Sequence, residues 1–165
     1  MATTPDQHDP DWQRYPETIL IFGTQPAVEI DLRKTLPEAA LSTLKAVGLG
    51  GPFAIITAFD PRGQDLSAAE NEERRRGLDR RLSASGYKFV RVDCCSPDRS
   101  HCECSVAVAM RQEDAIVLAK ELEQMAIFWF DGERFWILGA LVETDPMMLP
   151  KENRYPAPGY RVTGS

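Results

Sequence analysis

Four cysteines crowd between positions 94 and 104: Cys94-Cys95, six intervening residues, then Cys102-Glu103-Cys104. With His101 and Asp93 beside them they offer enough soft ligands for tetrahedral zinc, or a pair of thiols for redox chemistry. The spacing speaks against the metal. Structural zinc sites favour C-x2-C pairs, in which a turn aims both sulfurs at the ion, whereas adjacent cysteines in a strand point to opposite faces. Cys102 and Cys104 do share a face, but that face continues through Val106, Val108 and Met110. The expectation is therefore buried, unreactive thiols, with neither a metal nor a cofactor.

A set of polar side chains stands where core positions are expected. Leu78 and Leu82 mark the inward stripe of a helix opened by Ser67, and Asn71 and Arg74 fall close to that stripe. Glu103 and Ser105 face away from Cys102 and Val106 on their strand. Thr57 interrupts an apolar strand between Ile55 and Phe59, Asp60 opens the turn that follows, and Gln124 ends a helix just before the last hairpin. Two readings compete. In one, these groups satisfy each other, with Arg74 and Glu103 as a charge-assisted pair that pins the helix start to the sheet. In the other, they line a shallow pocket at the end of the Phe53–Phe59 strand, where the helix N-terminus offers free amides to an anion.

Catalysis has less support. His8 lies in the N-terminal tail and His101 in an irregular connection, so the usual general base is nearly absent from the domain. Glu103 would serve as a base if burial raised its pKa, but a neighbouring Arg74 would pull it the other way. Ser105 shows no histidine partner, and no GxxxxGK[ST], GxGxxG or HExxH motif occurs.

The elements that must position these residues follow from local pattern. Ile19–Phe22 and Val28–Leu32 flank Gly23-Thr24-Gln25-Pro26 as a hairpin. Thr35-Leu36-Pro37-Glu38 carries a cap residue, an early proline and a glutamate three positions on, predicting a short helix that buries Leu41, Leu44 and Val47 and stops at Gly48. Phe53–Phe59 is an apolar run of strand length. Ser67-Ala68-Ala69-Glu70 is a capping box, opening a helix to about Ser85 with Gly86 as its stop. Tyr87–Val92 and Cys102–Met110 read as strands, and 112–123 as a helix through Ala115, Leu118, Ala119 and Leu122. Ile127–Phe130 and Phe135–Leu141 flank Asp131-Gly132, a strong hairpin signal.

From Phe53 onward the order is β-α-β-β-α-β. It predicts an α+β, ferredoxin-like βαββαβ sandwich with an added N-terminal hairpin and one further C-terminal hairpin strand. The polar start, 1–14, and the proline-rich end, 146–165, read as tails around a single domain over 15–145. In the C-terminal stretch Met147, Met148, Leu149 and Tyr155 could still dock on the domain.

Bulk properties bound the function. The chain has 165 residues, 43% hydrophobic and 27% charged, as expected of one ordinary globular domain. Its net charge of −6 repels phosphates at long range and disfavours nucleic acid. Arg74-Arg75-Arg76 and Arg80-Arg81 are interleaved with Glu70, Glu72, Glu73 and Asp79, a solvated, salt-bridged face more than a basic groove. With no apolar segment of spanning length, no secretory pattern and clustered cysteines, the expected setting is the cytoplasm, away from membranes. Phe128, Trp129, Phe130, Phe135 and Trp136 read as core and cross-strand pairs, with any left on the outer sheet face suited to a homodimer.

Several of these motifs together resemble bacterial proteins of the domain-of-unknown-function 3293 group. Ile56-Thr57-Ala58-Phe59-Asp60-Pro61 is similar to that family's strand-to-turn motif, where Asn often replaces Asp60 and Trp often replaces Phe59. Glu70-Asn71 with Arg74 and Leu78 resembles its helix signature, Glu103 with Ser105 its Glu-x-Ser strand, and 124–127 its Gln-x-Ala segment. The likeness covers roughly Tyr15 to Leu141. It implies a domain outline and no reaction, and it draws attention to Glu103 and Ser105 rather than to the cysteines beside them.

The leading functional expectation is thus a small binding or interaction module for an unknown, small polar ligand, built on Thr57, Asp60, Asn71, Arg74, Glu103, Ser105 and Gln124. One alternative is an enzyme acting on a small polar or phosphorylated metabolite, with Glu103 as acid/base and Arg74 as anion clamp. Another is a zinc- or redox-responsive protein acting through the cysteine cluster.

Overall fold

The computed structural model describes residues 12–151. After a 3-10 turn over Trp12–Glu17 come β1 (Ile19–Phe22), β2 (Val28–Asp31), α1 (Glu38–Ala46), β3 (Phe53–Thr57) and α2 (Ala68–Ala84). Then follow β4 (Phe89–Cys95), β5 (Cys102–Val108), α3 (Gln112–Glu121), β6 (Ala126–Phe130), β7 (Phe135–Gly139) and β8 (Met147–Met148). The strands form one sheet of eight in the order β2-β1-β4-β5-β3-β6-β7-β8, and every pairing is antiparallel.

Central strand β3 shows why the sheet has two buried faces. Side chains alternate along a strand, so an unbroken apolar run buries both faces. Phe53 and Ile55 enter one core with Phe22, Ile30, Phe130 and Leu44 of α1. Ala54 and Ile56 enter the other, beneath Leu78 and Leu82 of α2 and Ala115, Leu118 and Ala119 of α3. α2 and α3 therefore share one face, and α1 covers the opposite one. The aromatics behave as core: the Phe53 ring lies 5.1 Å from Phe130 and 5.8 Å from Phe135, centroid to centroid.

Local signals hold where they were strongest. Ser67 Oγ accepts the Glu70 amide at 3.1 Å and the Glu70 carboxylate accepts the Ser67 amide at 3.1 Å, closing the capping box. At the β6–β7 turn, Asp131 Oδ1 accepts the amides of Glu133 and Arg134, and Gly132 takes a φ of 108° that a side chain would resist. On α2, Arg75, Arg76 and Arg80 pair with Glu72, Glu73 and Asp79, as the interleaving of charges implied.

Other expectations need correction. The sheet is larger than the one read from sequence, because β8 adds an edge strand beyond residue 145 and Leu149 is buried. Two paired residues are too short a run to show a period. Helix α1 begins at Glu38 with Pro37 as its N-cap and no side-chain cap, so Thr35 plays no capping part. The residue before a proline is biased toward extended backbone, which holds Leu36 out of the helix. Val47 is 44% exposed and only Leu44 of α1 is buried. Strand β3 stops at Thr57, β4 runs on to Cys95, and β5 ends at Val108. The stretch between β4 and β5 is a closed hairpin loop in which Ser96 N–H donates to the His101 carbonyl at 2.9 Å.

That register overturns the picture of four buried thiols. Cys95 and Cys102 are directly opposed across β4 and β5, with Cα atoms 4.1 Å apart, and form a disulfide. Cys102 is exposed, while Cys94 and Cys104 stay free and half-buried. The pairing is invisible when β4 is ended at Val92. No helix among the described residues is long and apolar enough to cross a membrane. The segments 1–11 and 152–165, including His8 and most of both expected tails, lie outside the described residues.

Candidate functional site

The polar residues gather where β3 ends. Thr57 Oγ1 donates to the Cys104 carbonyl at 2.8 Å and accepts the Phe59 amide at 3.0 Å, so one hydroxyl ties the strand end to β5 and starts the turn. Asp60 follows with a φ of 45°, in the left-handed region that Asn and Asp tolerate best among side-chain-bearing residues. Asn71, 7% exposed on α2, clasps it from the other side. Its Oδ1 accepts the Asp60 amide at 2.9 Å and its Nδ2 donates to Asp60 Oδ1 at 2.9 Å. Asp60 Oδ1 also accepts the Leu66 amide at 3.0 Å.

One turn along α2, Arg74 reaches into the same junction. Its Nε donates to the Ala58 carbonyl at 2.5 Å and its Nη2 to the Leu122 carbonyl at 2.7 Å. Gln124, 8% exposed, donates through Nε2 to the Phe59 carbonyl at 2.9 Å and the Leu122 carbonyl at 3.3 Å. Arg62 completes the bridge, with its amide on the Glu123 carbonyl and its Nε 2.7 Å from the Glu123 carboxylate. Ser105, 3% exposed, accepts the Cys94 thiol and donates to the Glu103 carbonyl, both at 3.4 Å.

Thr57, Asn71, Arg74 and Gln124 thus fasten the β3–α2 and α3–β6 connections together through backbone groups, which any buried polar group requires in some form. Arg74 binds two carbonyls instead of the Glu103 carboxylate anticipated for it. Two shallow depressions lie elsewhere. One of about 190 Å³ sits between α2 and α3, by Tyr87, Met110 and Val117, and one of about 170 Å³ sits beside α1, by Leu41 and Lys45. Both are smaller than the roughly 300 Å³ at which small-molecule pockets begin.

The remaining carboxylates, Asp60 and Glu103, meet His101 on the outer rim of this junction. β3 and β5 pair as Thr57 with Ser105, and carrying that antiparallel register three residues on sets Asp60 between His101 and Glu103. One donor atom each from Asp60, His101 and Glu103 lies within 4.8 Å of the others, and His101 Nε2 is 3.4 Å from Glu103 Oε2. Asp60 and Glu103 are half-buried and His101 is exposed. His101 is also held from behind: its amide donates to Ser96 Oγ at 3.2 Å, and the disulfide begins at the next residue. The alternation of 101 and 103 along one strand face could have revealed the imidazole, had β5 been paired with β3 in advance.

The thiols are electrostatically quiet. Burial pushes the Cys94 thiol up to about 12, against the lowering effect of its hydrogen bond to Ser105. Burial also raises Cys104, which the Arg91 guanidinium pulls partly back. Neither is poised as a thiolate nucleophile.

Residues 56–127 match the model of a family described as a protein of unknown function (DUF3293). The match bears out the resemblance to that family over a shorter stretch than Tyr15 to Leu141, and it takes in Asp60, His101 and Glu103 as well as the whole fastening set. It leaves out the β1–β2 hairpin, α1 and the β7–β8 edge. No curated protein and no solved structure matches the chain.

Proposed function

We propose that this chain, which carries the matched family's domain over residues 56–127, is a small cytoplasmic binding module whose ligand sits on the rim formed by Asp60, His101 and Glu103. The convergence of those three side chains from the β3 turn, the β4–β5 loop and β5 is the observation that carries the reading. Two carboxylates and an imidazole at this spacing favour a small ligand with positive charge or several donors. Thr57, Asn71, Arg74 and Gln124 support the rim from beneath, so Asp60 meets a ligand from a fixed position. Residues 53–130 are read as a ferredoxin-like sandwich inside the larger sheet, because β4-β5-β3-β6 is the strand order of that pattern and α2 and α3 cover one face.

The enzymatic alternative loses its anion clamp, since both bonds of Arg74 go to carbonyls. Backbone-amide NMR tests the binding reading with divalent cations, spermidine and arginine amide as probes. The expected result is saturable shifts confined to residues 58–62 and 99–105, absent in Glu103→Gln. Shifts centred elsewhere, or none with any probe, would overturn it.

A further inference from the structure

We infer that the rim binds a divalent first-row transition-metal ion through Asp60, His101 and Glu103, an inference that rests on the binding reading above and names its ligand class. The donor set has the right chemistry. An imidazole selects zinc, cobalt, manganese or iron over calcium and magnesium, which prefer all-oxygen shells. Two ligands sharing a tetrahedral ion at bond lengths of about 2.1 Å lie roughly 3.4 Å apart. The His101 Nε2 to Glu103 Oε2 separation is 3.4 Å and the whole trio lies within 4.8 Å, with Asp60 held in place and the exposed His101 side chain free to move toward it.

The surroundings are those of a held ligand set. Ligating carboxylates are ordinarily fixed by hydrogen bonds from behind. Asp60 has two on Oδ1, from Asn71 Nδ2 and the Leu66 amide. His101 is fixed through its backbone to Ser96 and through Cys102 to the disulfide. Three protein ligands on an exposed rim leave further coordination positions to water or a bound molecule, the arrangement of an open site rather than a closed structural one. The site is separate from the zinc site considered for the cysteines: in the oxidised chain Cys95 and Cys102 are bonded to each other and have no thiolate to give.

Cobalt(II) titration of the untagged, oxidised chain tests the inference. One equivalent should bind with visible d–d absorption and without a near-ultraviolet thiolate-to-cobalt band, and zinc should displace it. His101→Ala and Glu103→Gln should each weaken binding by about 10-fold or more, with the thermal melt of the parent retained in His101→Ala, a loss at least as large as that from removing a supporting residue. A thiolate band, or affinity unchanged in both variants, would overturn the site. If no metal binds but spermidine or arginine amide still shifts residues 58–62 and 99–105, the metal inference falls and the binding reading stands. Silence from every probe would overturn both.

Discussion

Asn71 and Asp60 hold each other in a reciprocal pair, amide to side-chain oxygen and side-chain nitrogen to carboxylate, each at 2.9 Å. The pair joins α2 to the end of β3 and fixes a carboxylate at the rim. Asn71 is 7% exposed, and removing it takes away the partner of the Asp60 amide and leaves Asp60 Oδ1 with the Leu66 amide alone. Asn71→Ala should lower unfolding stability by about 1–3 kcal/mol, the cost of leaving such groups unsatisfied. Asn71→Asp should be at least as damaging, because an oxygen would replace Nδ2 against Asp60 Oδ1. Urea denaturation of both variants checks the order; an Asn71→Asp protein as stable as the parent would show that the pair carries little.

Arg74 makes a different contribution, linking two connections that are distant in sequence. Its two bonds run to carbonyls after β3 and after α3. Arg74→Ala should cost about 3 kcal/mol, given that a hydrogen bond to a charged group contributes roughly 1.5–3 kcal/mol. Arg74→Lys should recover only part, since one ammonium lacks the planar fork that reaches both acceptors. Denaturation midpoints of the two variants separate this bracing role from an anion-binding one. Stability unchanged in Arg74→Ala, with phosphate or sulfate protecting the parent alone, would favour the latter.

What the sequence made legible were features encoded within a few residues. The Ser67–Glu70 box and the Asp131-Gly132 turn each close their bonds within three residues, so pattern alone locates them. Asn71 and Arg74 were also readable as inward-facing polar residues, because helical period fixes the face. Their partners were not: Ala58 and Leu122 are 16 and 48 positions from Arg74, and a carbonyl acceptor leaves no trace in side-chain type. His101 and the Cys95–Cys102 bond share one cause of concealment. Both depend on how β5 is paired: the bond on three residue pairs with β4 beyond Val92, and His101's place beside Asp60 on the register with β3.

The β4–β5 loop should also respond to acid through Asp98. Its carboxylate accepts the Ser100 amide, the Ser100 hydroxyl and the Ser96 hydroxyl, which hold its pKa down to about 2 from an ordinary 3.8. A depressed carboxylate adds stability that is fully present above the unfolded value. That stability is lost as pH falls from about 4 through about 2. Carboxyl NMR should find Asp98 titrating near 2, with loosening of residues 96–101 over the same range. A midpoint near 4 would mean that the loop does not hold its serine bonds in solution.

The Cys94 thiol should react slowly. With Cys94 pushed up to about 12 by burial, very little of it is thiolate at neutral pH, and only the thiolate attacks an alkylating agent. Iodoacetamide at pH 8 should leave Cys94 unmodified in the native protein and label it in urea, as peptide mass mapping would show. Rapid native labelling would place Cys94 in solvent.

Reducing the disulfide should couple stability to the rim. Two electrons and two protons from dithiothreitol convert the Cys95–Cys102 bond into two thiols and free the loop that ends at His101. Cross-linking so short a loop is worth about 2–3 kcal/mol by loop-closure entropy, so the melting temperature should drop on reduction. The imidazole would then have to be ordered on binding, and the affinity for cobalt(II) should fall severalfold although no ligand has been removed. A cytoplasm keeps such thiols reduced, so oxidation there would strengthen the site. Titrating the Cys95→Ser/Cys102→Ser double variant separates the two effects: it should bind as weakly as the parent reduced and then freed of dithiothreitol, and the same treatment should leave the variant's own affinity unchanged. Equal affinity in the oxidised, reduced and double-serine forms would show that Ser96 and the strand pairing alone position His101.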